Sequence, residues 1–247
     1  MKVLTATDIV GQNDCGLIPG EEKLFLPIGA TIGCIGQSLC LVVADTPAHA
    51  KYAATLVTAT YAAPASGAKP VCDITQAVAE KSFFPSTPDN PYITNMTRPG
   101  GNVASAMSKA ANKVSGSVNT QGQRHFYMET QNAIAFPIEF GKILRVTTSA
   151  QFLDQCQTVI KNVTGLPANS INVTTRRSGG AFGGKISRSL HVAAAASLAA
   201  YVVAANSFMC FLYSFVLCLL CFSLCLFVCL WFGRVVVVFR FLHRRLR

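Results

Sequence analysis

The sequence predicts an α/β (α+β) chain. Three observations carry this: short β-branched runs such as "KVLTA", "KILRVTTS" and "INVTTRR" read as strands, two segments show helical apolar spacing, and a glycine-rich loop leads from a strand into an alanine-rich helix. With 247 residues, 51% of them hydrophobic and 13% charged, the chain can fill a core.

From the N-terminus, strands are expected at "KVLTA" and within "GATIGCIGQSLCLVVA", and a helix at "DTPAHAKYAATLVTATY". There Thr46 is placed as N-cap and Pro47 as the first helical residue, while Ala50, Ala53, Ala54 and Val57 keep the spacing of a buried stripe. The prolines and glycines of "SFFPSTPDNPYITNMTRPGG" deny both helix and central strand, so a linker is expected over 71–100.

A second unit follows. It should hold a helix near 103–112, a strand at "KVSGSVN", a strand at "KILRVTTS", a helix over 150–162 capped by Ser149, and a strand at "INVTTRR". Phe152, Cys156, Val159 and Ile160 would form the inner face of that second helix. The alanine-rich helix "SRSLHVAAAASLAAYVVAA" is expected to pack closely in the core, with His191 structural and without an evident partner.

Charge divides the chain unevenly. Up to Asp154, the last acidic residue, 11 Lys and Arg balance 11 Asp and Glu, so the whole net charge of +10 lies beyond it. Half of that excess sits at Arg234, Arg240, Arg244, Arg245 and Arg247 in an otherwise apolar tail, which argues against nucleic-acid binding, since a binding patch needs cations on a folded, hydrated face. Cys15, Cys34, Cys40, Cys72 and Cys156, with no CxxC among them and no signal peptide, imply a reducing, cytoplasmic setting.

The tail over 207–247 is set apart by composition. Residues 208–232 carry no charge and are long enough to cross a bilayer as a helix, which would anchor the chain in a membrane. The tail also lacks Ala, Asp, Glu, Ile, Lys, Asn, Pro, Gln and Thr altogether, a bias toward T-rich and G-rich codons. We expect it to be aberrant translated sequence or a transmembrane helix, and in either case no part of the fold.

The loop "RRSGGAFGGKISRS", residues 176–189, invites a phosphate reading because Gly179, Gly184 and Lys185 satisfy GxxxxGK. Two requirements fail. Ile186 stands where a magnesium-binding Ser or Thr belongs, and no Asp or Glu follows position 154 to hold the metal. A dinucleotide fingerprint fails too, because "GGAFGG" is not GxGxxG. What remains is either backbone amides offered to a flat or charged ligand or a tight strand-to-helix connection with Phe182 packed inside. Lys185 has no role in either and reads as a surface or packing residue.

Two stretches resemble a known family. "GQRHFYMETQNAIAFP" (122–137) and "GGAFGGKISRS" (179–189) are similar to the two signature segments of the molybdenum hydroxylases, the xanthine dehydrogenases and aldehyde oxidases. "LTATDIVGQNDCG" and "VVADTPAHAKYAA" resemble the α/β hammerhead domain that precedes them in those proteins. The resemblance implies a partial hammerhead over 1–70, a linker over 71–100 and the first part of a molybdopterin-binding domain over 101–206.

It also implies site residues. Gln123 would hydrogen-bond an oxo ligand of the molybdenum, and Gly180, Ala181, Phe182 and Gly183 would lie against the molybdopterin and the metal's ligands. Ile186 occupies the position where xanthine dehydrogenases carry a glutamate, and an aliphatic side chain cannot hydrogen-bond a purine, so the resemblance leans to aldehyde oxidases acting on aldehydes or N-heterocycles. The implied reaction is hydroxylation with water as oxygen source, with electrons leaving through 2Fe-2S clusters to FAD. The family's general-base glutamate and its iron–sulfur and FAD domains have no counterpart here, so no catalytic residue is assigned, Glu129 is read as structural, and the chain alone is expected to be inactive. Homodimers are usual in the family. A membrane-anchored non-catalytic binding module and a xanthine dehydrogenase-like purine hydroxylase are the competing readings.

Overall fold

The computed structural model describes residues 1–34, 36–62, 71–83, 101–120, 122, 124–206, 215–219, 225–229 and 236–241; for residue 140 and from residue 204 onward only the backbone is described. The chain divides into two compact units, Met1–Ala59 with His125–Arg247, and Thr60–Arg124.

In the first unit, β1 (Lys2–Leu4) pairs antiparallel with β2 (Ser38–Ala44). Helix α1 (Pro47–Leu56) starts where the sequence places it: the Thr46 hydroxyl accepts the His49 N–H at 3.1 Å, and Ala50, Ala53 and Ala54 are buried. Because side chains alternate along a strand, β2 serves two layers. Val42 and Ala44 meet the α1 alanines, while Leu41 and Val43 join the main core.

That core lies between the sheet and two helices. β3 (Asn132–Ile138) and β4 (Ile143–Thr148) are antiparallel, and β4 runs parallel to β5 (Ile171–Thr174) through helix α4 (Leu153–Thr164), the crossover a parallel pair requires. Ala133, Ala135, Leu144 and Val146 of these strands and Cys156, Val159, Ile160 and Val163 of α4 are buried in one shared core. Gly165, at φ 73°, ends α4 in the left-handed conformation that favours glycine, its N–H bonded to the Lys161 carbonyl at 2.9 Å. The segment before residue 13 then satisfies carbonyls of the last turn: Gly11 donates to Val163 at 3.1 Å and Gln12 to Asn162 at 2.5 Å.

Helix α5 (Gly184–Asn206) is the centre of the unit. Leu190, Ala193 to Ala196, Leu198, Ala199 and Ala200 are all buried, and over 192–200 every residue of the helix is covered by protein. It is also the one helix among the described residues that is long and apolar enough to cross a membrane, and its burial marks it as a core helix.

In the second unit, α2 (Ile74–Ala79), capped by Asp73, lies within the stretch expected to be linker, and α3 (Val103–Lys109) is capped by Asn102.

Three expectations are corrected. "KVSGSVN" forms no strand: Val114 and Val118 are 96% and 92% exposed, and a β-branched run without a partner strand or a buried face has nothing to hold it extended. Ser149 does not cap α4, which begins after Phe152; its hydroxyl accepts the Asn132 N–H instead and ties β3 to the end of β4. The tail is not outside the fold. β6 (Phe215–Leu219), β7 (Cys225–Cys229) and β8 (Val236–Phe241) complete a sheet of order β1-β2-β8-β7-β6-β3-β4-β5, and no helix lies among the described residues of 208–232. The reason lies in the open edges of β2 and β3. Five-residue and six-residue runs rich in Val, Phe and Leu satisfy their backbone groups by pairing there, β8 on β2 and β6 on β3.

Candidate functional site

The glycine loop connects β5 to α5, and the segment 125–131 that leads into β3 lies directly against it. Gly184, the first residue of α5, has no room for a side chain: a Cβ there would come within 2.7 Å of Tyr127 Cε1 and 2.9 Å of His125 Cγ. The two stretches singled out in the sequence are therefore in contact.

Glu129 joins them. Its Oε2 accepts the Gly179 N–H at 2.8 Å and Lys185 Nζ at 2.5 Å. Lys185 is fully buried, so of the two alternatives the surface one falls and the packing one stands; its Nζ also lies 5.2 Å from the centroid of the Tyr127 ring, whose hydroxyl receives a hydrogen bond from Gln131. Gln151 holds the lysine main chain, accepting its N–H at 3.2 Å and donating to its carbonyl at 3.0 Å, and Ser189 donates to the same carbonyl at 2.7 Å. The Lys185 hydrogen bond, with help from the Gly179 amide, holds the Glu129 carboxyl below the usual range against the opposing effect of desolvation. A carboxylate so engaged is a structural anchor.

Between these fixed points the loop turns outward. Phe182 has φ 50°, a sterically costly value for a bulky residue, and Gly183 follows at φ 89°. The Phe182 side chain is 73% exposed, its ring folded back over Gly180, where a Cβ would be 3.1 Å from Cε2. Packing of Phe182 inside a tight connection is thus not what the loop does. The backbone N–H groups of Gly180, Ala181, Phe182 and Gly183 find no partner among the described residues, whereas Gly184 and Ile186 donate back to Ala181 and Gly183 at 2.8 and 3.1 Å. Ala181 is buried and Ile186 half-buried beside them.

Four consecutive unpaired amides next to an exposed aromatic ring at a helix start fit a ligand that brings acceptor atoms and a flat face. Among the described residues no group of His, Cys, Asp and Glu could hold a metal ion, so a metal at this loop would arrive with ligands of its own. Gln123, expected at the metal's oxo ligand, lies outside the described residues.

Sequence reasoning missed Lys185, Tyr127, Gln131 and Gln151. The only trace it offered was an acid and a base, each in a quoted stretch, 56 residues apart. A second carboxylate also grips α5. Glu22 accepts from Arg188 through Oε1, and its Oε2 lies 3.4 Å from His191 Nε2, so His191 does have a partner. Burial pushes the His191 imidazole down to about 4, against the pull of Glu22, and its Nδ1 has no partner among the described residues.

Residues 83–211 match the molybdopterin cofactor-binding domain family. The chain is 36% identical over 196 residues to a xanthine dehydrogenase of Oryza sativa subsp. japonica, covering 78% of this chain and 13% of that protein. It is 36% identical over 208 residues to a putative aldehyde oxidase-like protein of the same plant, covering 82% and 15%. With the xanthine dehydrogenase/oxidase of Felis catus the identity is 37% over 198 residues, covering 80% and 14%. The chain thus spans about one seventh of the length of these curated relatives. The matched stretch contains both the loop and the segment that braces it, and on that ground the chain belongs to the molybdenum hydroxylase family of xanthine dehydrogenases and aldehyde oxidases, carrying part of the molybdopterin cofactor-binding domain.

Proposed function

We propose that this chain supplies the Phe182 loop of a molybdopterin site in an enzyme that hydroxylates aldehydes or N-heterocycles. The observation that carries the reading is the row of unpaired amides over 180–183 beside an exposed Phe182. When bound, the molybdenum cofactor supplies the two-electron chemistry by which water becomes the source of the added oxygen.

The residues of this chain bind and orient. The amides of Gly180, Ala181, Phe182 and Gly183 would donate to acceptor atoms of the cofactor, the Phe182 ring would shield it from water, and Gln123 would serve the metal as a neutral amide. Ile186 lines the substrate side and selects against purines, which would leave polar atoms without partners. The general base, the 2Fe-2S clusters and FAD belong to other parts of the whole protein, which we take to be a cytoplasmic homodimer. Over 1–70 the chain would be the end of a hammerhead domain, and over 101–206 the first part of the molybdopterin-binding domain. By itself it would neither retain the cofactor stoichiometrically nor turn over aldehydes.

A chimera tests the substrate reading. In the feline xanthine dehydrogenase/oxidase, the matching segment is replaced by this chain's residues, and turnover of an aromatic aldehyde is compared with that of xanthine. We expect the ratio to move toward the aldehyde by at least tenfold, as expected when a polar partner is lost from a purine pocket, and Ile186→Glu to move it back. An unchanged preference for xanthine would favour the purine reading instead, which the similarity to xanthine dehydrogenases supports equally.

A further inference from the structure

The glycines explain why the loop can approach a ligand, but they do not explain why it stays turned outward. Glycine adds freedom, and a Phe182 at φ 50° would relax if the ends of its loop were loose. Apart from the helix's own bonds, two short backbone bonds among the described residues, Gly184 to Ala181 and Ile186 to Gly183, join the loop to the first turn of α5. The ends must be held from outside.

One carboxylate oxygen reaches both. Glu129 Oε2 takes the Gly179 N–H, at the entry, and Lys185 Nζ, just past the exit. The lysine is completely buried, and Glu129 is its one anionic partner among the described residues, so the charge cannot be released without pulling the first turn of α5 toward water. Glu129 itself is 37% exposed, which keeps its own desolvation small.

We propose that Glu129 and Lys185 are a positioning pair that sets the Phe182 loop from its two ends, and so keeps the 180–183 amides presented to the cofactor. The inference rests on the reading of this loop as a cofactor loop for its purpose, but the clamp itself needs no cofactor. Glu129→Gln leaves an acceptor for Gly179 and strands the buried charge. Lys185→Met removes the charge and keeps an apolar stem, and the double variant is neutral at both positions.

Amide hydrogen exchange of the full 247-residue chain, read at Gly184 and Ile186 and at Val159 to Val163 of α4 as an internal reference, tests it. Each single variant should speed exchange at Gly184 and Ile186 by roughly tenfold or more while α4 is unchanged. The double variant should be no faster than the worse single, because the two changes break one interaction. Single variants within twofold of the parent, or a double variant at the product of the two singles, would overturn the pair. Should Glu129→Gln loosen α4 as well, Glu129→Asp, which keeps the charge but withdraws it by one methylene, gives the same reading: the loop must loosen with α4 intact, and an unmoved loop overturns the proposal. The outcome is separable from the function itself, since a sound clamp on a loop that holds no cofactor would refute only the latter.

Discussion

Two glutamates grip the start of α5, and they do so differently. Glu129 binds a fully buried lysine and a loop amide, whereas Glu22 binds an arginine whose side chain is half exposed and a largely buried histidine. Each carboxylate has two partners. The consequences should differ, because an ion pair contributes according to what its partner would do in its absence. Arg188 would return to water; Lys185 has no water to return to. The comparison identifies the Glu129 side as the one that fixes structure, and the Glu22 side as a looser tie between the N-terminal segment and the helix.

The largest effect is therefore expected at Glu129. Glu129→Ala should destabilise the fold by about 2–3 kcal/mol in urea titration, less than the ~3–5 kcal/mol typical of a fully buried pair because the carboxylate is partly solvated. A loss comparable to that of Arg188→Ala would erase the distinction drawn here.

An intermediate effect should come from pH through His191. Its folded-state pKa of about 4 lies below the ordinary 6.5, so below pH 6.5 the unfolded chain binds a proton that the folded one refuses, and stability falls as pH falls toward 4. Among the described residues Glu22 and Arg188 act electrostatically on it, and Glu22 limits the shift. Between pH 7.5 and 5.5 the loss should be about 1 kcal/mol, and His191→Asn should flatten that slope; an unchanged slope in the variant would place the dependence elsewhere. The smallest effect belongs to Arg188→Ala, about 0–1 kcal/mol at low salt and less in 1 M NaCl.

How much of this could be read from the sequence follows the range of the interactions. The α1 cap at Thr46 and Pro47 and the inner face of α4 at Cys156, Val159 and Ile160 were legible because they depend on neighbours three or four residues away, whereas Phe152, read on the same face, is exposed at the N-cap. The glycine loop was legible as a loop between a strand and a helix. The failures were long-range or competitive. Ser149 looked like a cap, but the Asn132 N–H claimed its hydroxyl from 17 residues away. Val114 and Val118 had strand character and no strand to pair with. The tail's apolar run had the length of a membrane helix, yet β2 and β3 offered it edges. Lys185 beside a glycine loop could be read as a surface or packing residue and no further, because nothing local places Glu129 next to it.

The central claim is that residues 179–186 form a cofactor loop, and molybdenum content tests it most directly. The feline chimera carrying this chain's segment, expressed in a host that makes the cofactor and shown to fold by a cooperative thermal transition, should hold close to one molybdenum per subunit. Phe182→Asp, which puts a charge against the cofactor's face, should lower that occupancy severalfold. A folded chimera without molybdenum, or one whose occupancy is indifferent to Phe182→Asp, would contradict the account.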